Sequence, residues 1–247
     1  MRILITGAHS LLGRSLLAEK TAVELIGCGR GLDPVAGKRY VQVAITEADQ
    51  VERLLLDLRP DWVINTAAIT DVDCCEIDKE TARRVNLDAV NYLVDACRQI
   101  DAGLVQISTD YVFDGNAGPY SEQDETHPLS YYGELKLKSE EIVLNSNIKG
   151  LVLRTLWLYG YLPGVRLNLA TWPLDALAQH KPLTVIDDQW GNPTYVNDLA
   201  RVLLDLCQRH ITGLYHMGGA SYMTKKEVVV EAARFFNLDE KLIDAAS

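Results

Sequence analysis

Long apolar runs are absent from this chain: nothing approaches the ~18 residues of a membrane-spanning helix, so no membrane association is expected. Positive charge is scarce as well. Lys and Arg number 24 against 34 Asp and Glu, giving a formal net charge of −10. That sign argues against a nucleic-acid binder and gives no attraction to an anionic membrane. It still allows an anionic ligand in a locally basic site. Cysteine is sparse and unpatterned, at positions 28, 74, 75, 97 and 207. The count is odd and two are adjacent, which gives neither a disulfide framework nor metal-ligand spacing. Reduced thiols in the cytoplasm are the expected state. The five histidines form no H-x-x-x-H pair, so no catalytic zinc is expected. The opening Met1-Arg2-Ile3-Leu4-Ile5-Thr6-Gly7 reads as a first strand rather than a signal peptide.

What remains is an ordinary globular composition, 48% apolar and 23% charged, over a length that suits one large α/β domain or two interleaved lobes. Strand-like runs at 2–6, 23–28, 40–43, 62–65, 104–107 and 151–155 alternate with helical stretches. Of these, Leu11–Lys20 follows the first strand, and Thr46-Glu-Ala-Asp49 resembles a capping box before Val51, Leu54 and Leu55. Between Lys79 and Ile100, apolar Ala82, Val85, Ala89, Leu93, Ala96 and Ile100 recur at helical spacing and predict one long helix. The βαβα rhythm implies a doubly wound parallel sheet of Rossmann type. After Trp157 the rhythm loosens around Pro163, Pro173, Pro182 and Pro193. Later elements are expected as a helix at 197–209, a strand at 214–216 and a last helix opened by Thr224-Lys-Lys-Glu227. Residues 1–155 are thus expected as a dinucleotide-binding domain. Residues 156–247 are expected as a smaller substrate lobe closing over the carboxyl edge of the sheet.

Two places carry chemistry. In Tyr132-Gly-Glu-Leu-Lys136 a phenol and an ammonium four residues apart share a helix face, where the ammonium can stabilise the phenolate. A hydroxyl at a nearby strand end, Ser108 or Thr109, would hold a substrate carbonyl beside the phenol. The spacing alone is weak, since Tyr222…Lys226 repeats it, but that pair has no hydroxyl-bearing strand end upstream and reads as surface. Alternation along a strand lets only one of Ser108 and Thr109 serve. The second place is Gly7-Ala8-His9-Ser10-Leu11-Leu12-Gly13, between the first strand and helix. Backbone N–H groups at a helix start suit a pyrophosphate; Gly7 permits the tight turn and Gly13 close helix–strand packing. Ser10 stands where a glycine is usual, either crowding the phosphates or binding one. Arg30, after the second strand, is placed to meet the 2′-phosphate of NADP, where an acidic residue would instead bind the ribose of NAD.

These segments resemble the extended short-chain dehydrogenase/reductases, most closely the dTDP-4-dehydrorhamnose reductases. The matching stretches are Ile5-Thr6-Gly7…Leu12-Gly13, Val63-Ile64-Asn65-Thr66-Ala67-Ala68-Ile69-Thr70-Asp71-Val72-Asp73 and Val85-Asn86. They continue in Ile107-Ser108-Thr109-Asp110-Tyr111-Val112-Phe113-Asp114-Gly115, Tyr132-Gly133-Glu134-Leu135-Lys136, Leu153-Arg154-Thr155-Leu156-Trp157-Leu158-Tyr159-Gly160 and Asp187-Asp188-Gln189-Trp190-Gly191-Asn192-Pro193-Thr194. The resemblance implies that Thr109 orients the 4-keto oxygen of a dTDP-linked sugar and that Tyr132 donates the proton. It implies that Lys136 lowers the tyrosine pKa and holds the nicotinamide ribose. The cofactor would be NADPH, with NAD as the alternative, lined by Gly7, Ser10, Leu11, Leu12, Arg30, Thr66, Ala67, Ala68 and, packing on the adenine, Ile45. Asp110 and Trp157 would touch the nucleotide-sugar substrate, each with a bland rival: a turn residue and a core tryptophan. The family usually continues past Ser247 through a further strand and helix that complete the substrate lobe. The oligomeric state is left open, a homodimer included. Two other readings stand beside the reductase. One is a non-catalytic, NADP-binding regulatory subunit like the beta subunit of methionine adenosyltransferase, which Gly27-Cys28-Gly29 and Met223-Thr224-Lys225-Lys226-Glu227 also resemble. The other is an epimerase or dehydratase of another nucleotide sugar.

Overall fold

The β-branched and leucine-rich runs form strands, and the helices between them bury their apolar stripes on the sheet. A computed structural model of the chain describes residues 1–33, 35 and 37–246. From the amino terminus come β1 (Arg2–Thr6), α1 (Leu11–Ala18), β2 (Glu24–Gly29), β3 (Arg39–Gln42), α2 (Ala48–Leu58) and β4 (Trp62–Asn65). Then follow α3 (Val72–Ile77), α4 (Lys79–Arg83), α5 (Ala89–Ile100), β5 (Gly103–Thr109), α6 (Tyr131–Leu144) and β6 (Gly150–Thr155). The remaining elements are β7 (Leu158–Tyr159), α7 (Trp172–Ala178), β8 (Leu183–Ile186), β9 (Trp190–Gly191), β10 (Thr194–Tyr195) and α8 (Val196–Gln208). They end with β11 (Gly213–His216), β12 (Met223–Thr224), α9 (Lys225–Phe235) and β13 (Ile243–Ala246).

Among the described residues, seven strands form one parallel sheet in the order β11-β6-β5-β4-β1-β2-β3. The order reverses between β1 and β4, the switch point at whose carboxyl ends such sheets leave a crevice. Every residue of β4 and β6 is buried, as expected of strands covered on both faces. Leu4, Ile26, Val63, Leu104 and Val152, one from each of five strands, pack with Leu54 and Leu55 of α2 and Leu93 and Val94 of α5. Full burial of each such side chain is worth about 1.5–3 kcal/mol.

The chain divides into two compact units. The first is Met1–Arg154 with Ala200–His216, and the second is Thr155–Leu199 with Met217–Ser247. The segment 200–216, placed by the sequence in the later lobe, therefore returns to the first unit. The cause is pairing: β11 lies parallel to β6, with Leu214 opposite Val152 and His216 opposite Arg154. The second unit has its own core of Leu177, Leu183, Val185, Val229, Ala233 and Ile243, under a β8–β13 pair.

Two local expectations are corrected. The Thr46 capping box does not form. The Thr46 hydroxyl bonds the Glu47 carboxylate, and α2 starts at Ala48 with no side-chain cap. The single helix expected from Lys79 to Ile100 is interrupted by a π-turn at Arg84–Asp88. There Asn86, buried, accepts from the Ile69 N–H and donates to the Ile69 carbonyl, both at 2.9 Å. The widened turn lets one side chain close both hydrogen bonds of the loop after β4. The capping box at Thr224 does form: its hydroxyl accepts from Glu227 N–H at 3.1 Å, and the Glu227 carboxylate accepts from Thr224 N–H at 2.8 Å.

Candidate active site

The strand ends of the first unit carry most of the residues singled out from the sequence. Gly7 sits at φ +64°, and a Cβ there would lie 2.6 Å from the Ala67 backbone nitrogen. A side chain is thus excluded twice, by conformation and by space. A Cβ on Gly13 would meet the Gly7 carbonyl oxygen at 2.4 Å, so α1 packs directly on the turn. Ser10 is the N-cap of α1. Its hydroxyl accepts from the Gly13 N–H at 2.9 Å and meets the Thr66 hydroxyl at 3.0 Å. The side chain is engaged inside the turn. The first N–H groups of α1, at Leu11 and Leu12, have no partner within the helix and form its positive end.

Thr66 in turn donates to the Thr6 carbonyl at 2.6 Å, fastening the ends of β1 and β4 together. Beneath them a buried polar chain crosses the sheet. The Thr6 hydroxyl donates to Asn65 at 2.6 Å, and the Asn65 amide donates to Gln106 at 2.8 Å. Ala67 and Ala68 follow as half-buried small residues. Arg30 lies just past β2, exposed, with its carbonyl tied by the Gln42 amide at 2.8 Å. His9, which the sequence reading gave no role, bonds the Leu32 carbonyl at 2.6 Å and so braces the same loop. Ile45 is packed in the core with Val51 and Leu54, so its side chain is already engaged there.

At the end of β5 the two neighbouring hydroxyls separate. Ser108 donates to Glu140 at 2.5 Å, whereas the Thr109 hydroxyl lies near enough to Tyr132 to pull its pKa down. The Thr109 hydroxyl also donates to Asp110 at 3.0 Å and accepts from the Tyr111 N–H at 3.2 Å. Tyr132 stands in the first turn of α6, where Ser130 caps the helix by accepting from the Gly133 N–H at 3.1 Å. Gly133 lets the helix lie against the chain after β5, because a Cβ there would be 2.3 Å from the Tyr111 carbonyl oxygen. Cys75, Ala82 and Leu135 surround the phenol ring, and Tyr111 meets it edge-on at 5.8 Å.

Tyr132 is 7% exposed. Burial raises its pKa above the ordinary tyrosine value, the Thr109 hydroxyl pulls it down, and Asp110, Cys75 and Tyr111 add to the rise. Burial thus favours the protonated phenol. Lys136 is 3% exposed and donates to the Ile107 carbonyl at 2.5 Å. Its contact is with main chain, one residue from the hydroxyl pair, rather than with the phenolate stabilisation expected from spacing. Burial lowers the Lys136 pKa to about 8, against an opposing pull from Glu140.

Trp157 belongs to the second unit. It has the left-handed backbone angle φ +42°, its ring lies within 3.1–3.2 Å of where a Cβ on Gly191 would be, and the Lys225 ammonium sits 5.7 Å from the ring centroid. Tyr222 is exposed and stacks on Trp190, as fits its reading as surface. Among the described residues no group of three or more His, Cys, Asp or Glu side chains is arranged to hold a metal ion, and no helix is long and apolar enough to cross a membrane.

The whole chain, residues 1–247, matches the model of the RmlD substrate binding domain family. The chain belongs to this family. Among relatives, a dTDP-4-dehydrorhamnose reductase of Aggregatibacter actinomycetemcomitans is 36% identical over 225 residues, covering 88% of this chain and 73% of that protein. Methionine adenosyltransferase 2 subunit beta of Bos taurus is 34% identical over 247 residues, covering 96% and 72%. A crystal structure of the Bacillus anthracis dTDP-4-dehydrorhamnose reductase in complex with NADP superposes with a TM-score of 0.86 at 28% identity, covering 100% of this chain and 84% of that one. Membership of the RmlD substrate binding domain family thus agrees with the Rossmann-type sheet. It leaves two kinds of relative, one catalytic and one a subunit of another enzyme.

Proposed function

We propose that the protein is an NADPH-dependent reductase of the 4-keto group of a dTDP-linked deoxysugar, with dTDP-4-dehydrorhamnose as substrate and dTDP-rhamnose as product. The observation that carries this reading is the buried phenol of Tyr132. It is pushed towards its protonated form by burial, lies near the Thr109 hydroxyl and stands one helical turn from Lys136. A reductase needs that state, because a carbonyl accepting hydride must take a proton at oxygen.

The residues present fit a dinucleotide. Thr66 and Ser10 satisfy one another inside the turn, which leaves the N–H end of α1 for a pyrophosphate. Ala67 and Ala68 keep the adjoining strand end small, and Arg30 supplies an exposed guanidinium for a 2′-phosphate. NADP bound to the Bacillus anthracis relative supports the same choice. A bound nicotinamide would supply the hydride. Thr109 orients the keto oxygen by its hydroxyl, Tyr132 gives that oxygen its phenolic proton, and Lys136 holds the nicotinamide ribose. Asp110, half-buried beside Thr109, and Trp157 are assigned to the sugar.

The second reading, a regulatory subunit, is favoured by the 34% identity to the Bos taurus subunit over 96% of this chain. A partner-binding role does not require the hydroxyl–Tyr–Lys set that is kept here. An epimerase or dehydratase would recycle its cofactor instead of consuming it. Net NADPH consumption with dTDP-4-dehydrorhamnose is the deciding experiment. Steady consumption supports the reductase, whereas tight NADPH binding without turnover, joined to capture of a methionine adenosyltransferase catalytic subunit, overturns it.

A further inference from the structure

Behind the Tyr132–Lys136 helix face lies a buried ion pair that the reaction does not use directly. Arg154 of β6 and Glu140 of α6 are 6% and 2% exposed. The guanidinium grips the carboxylate with two nitrogens: Nε at 2.9 and 3.2 Å from its two oxygens, and Nη2 at 2.7 Å. The same carboxylate accepts from the Ser108 hydroxyl at 2.5 Å. Arg154 is further held by the Phe113 ring, 5.0 Å from its Cζ, and by His216 Nε2 at 3.3 Å from Nη1. Taking two charges this far out of water costs several kcal/mol per ion, and an apolar pair would serve stability as well or better. Stability alone is therefore a poor account of it.

Its position suggests another. Lys136 and Glu140 are four residues apart on one face of α6, and they bond successive residues of β5, Ile107 and Ser108. We propose that Glu140, clamped between Arg154 and Ser108, is a positioning residue that fixes this turn of α6 and keeps the Lys136 ammonium charged where it meets the end of β5. Burial works against that charge and has brought the Lys136 pKa to about 8, with the Glu140 carboxylate opposing the fall. Several other groups face this region. Asp110 and Tyr111 come from the turn after β5, Cys75 from α3 and Arg154 from β6; beyond Arg154 stand His216 of β11 and Glu122 of the loop before α6, whose carboxylate accepts from the His216 N–H at 2.7 Å. Burial lowers the His216 pKa, so this ring favours its neutral form and adds little positive charge. Glu140 is the carboxylate on Lys136's own helix face, and it is locked in place.

The inference rests on the catalytic reading of Lys136, yet its test needs neither cofactor nor sugar. The Lys136 side chain is titrated by NMR in the cofactor-free protein with isotope-labelled lysine, the resonance being assigned with Lys136→Met. The native midpoint is expected near pH 8. Loss of one nearby opposite charge in Glu140→Gln should lower it by about one pH unit, while Glu140→Asp should restore most of it. Glu140→Gln leaves Arg154 uncompensated. Should it not fold, Glu140→Met with Arg154→Met, which removes both charges, reads a fall in the same direction, smaller because the Arg154 charge that opposes the ammonium goes too. An unchanged midpoint in a folded variant lacking the carboxylate overturns the proposal. So would a drop in turnover that is uniform across pH, the mark of a merely structural role. Absence of sugar turnover in the native protein would instead count against the reductase reading and leave the titration intact.

Discussion

Replacing Tyr132 by Phe removes one oxygen from the site and almost nothing else. The ring would keep its packing against Cys75, Ala82 and Leu135 and its edge-on contact with Tyr111. Thr109 would lose the nearby phenol oxygen but keep its bonds with the Tyr111 N–H and Asp110. Even a full hydrogen bond to that oxygen would be worth only about 0.5–1.5 kcal/mol net. For a chain of this size that corresponds to roughly 2–4 °C in Tm per kcal/mol. The folded protein should therefore look native in circular dichroism and calorimetry. Turnover should not. Loss of an acid–base group costs about 10²–10⁴-fold, or about 2.7–5.4 kcal/mol on the barrier. NADPH consumption with dTDP-4-dehydrorhamnose, followed in steady state and in a single turnover, measures the loss. Cofactor fluorescence titration shows whether NADPH binding survives, as it should. Turnover of the Phe variant within about threefold of native, in a range where two orders of magnitude are expected, refutes Tyr132 as the proton donor.

Arg30→Ala should weaken NADPH much more than NADH, by about tenfold for the loss of one charge-assisted contact of about 1.5 kcal/mol, and equal losses for both cofactors would remove Arg30 from the 2′-phosphate. Gly7→Ala places a Cβ 2.6 Å from a backbone nitrogen at a left-handed φ, so a fall of at least about 1–2 kcal/mol in stability and failure of NADPH binding are expected in chemical denaturation and titration. The native rate should decline as pH rises through about 8, because Lys136 loses its proton there, and should not decline between pH 7 and 6 through this group. A rate still rising well above pH 8 would contradict that assignment.

Much of this architecture was legible from residue order. Apolar runs buried on both faces betray parallel strands, so the strands of the central sheet fall close to their expected positions, and the rhythm gives the class of fold. The places of the candidate residues Gly7, Arg30, Thr109 and Tyr132, at strand ends or in a helix turn, were legible in the sequence; the roles given to them are those of the proposed function. What escaped depends on contacts remote in sequence. The break at Arg84–Asp88 arises because Asn86 reaches Ile69, and apolar periodicity is blind to a polar side chain turned inward. Ser10, expected either to crowd the phosphates or to bind one, meets the hydroxyl of Thr66, 56 residues away. Glu140 carried one signal, its spacing four residues beyond Lys136. Its partners Ser108 and Arg154 come from two strands that no local pattern pairs with it. The sense of the Tyr132 shift also needed the fold, since burial outweighs every neighbour.

The return of residues 200–216 to the first unit imposes an order on the protein's birth. Strand β6 ends at residue 155, and the strand that covers its outer edge begins at residue 213. At synthesis rates of about 5–20 residues per second, several seconds separate the two. Throughout that interval a strand whose residues are all buried in the finished fold offers its unpaired edge to any neighbouring nascent chain. The first unit is thus begun first but finished late, and its last strand also delivers His216 to Arg154.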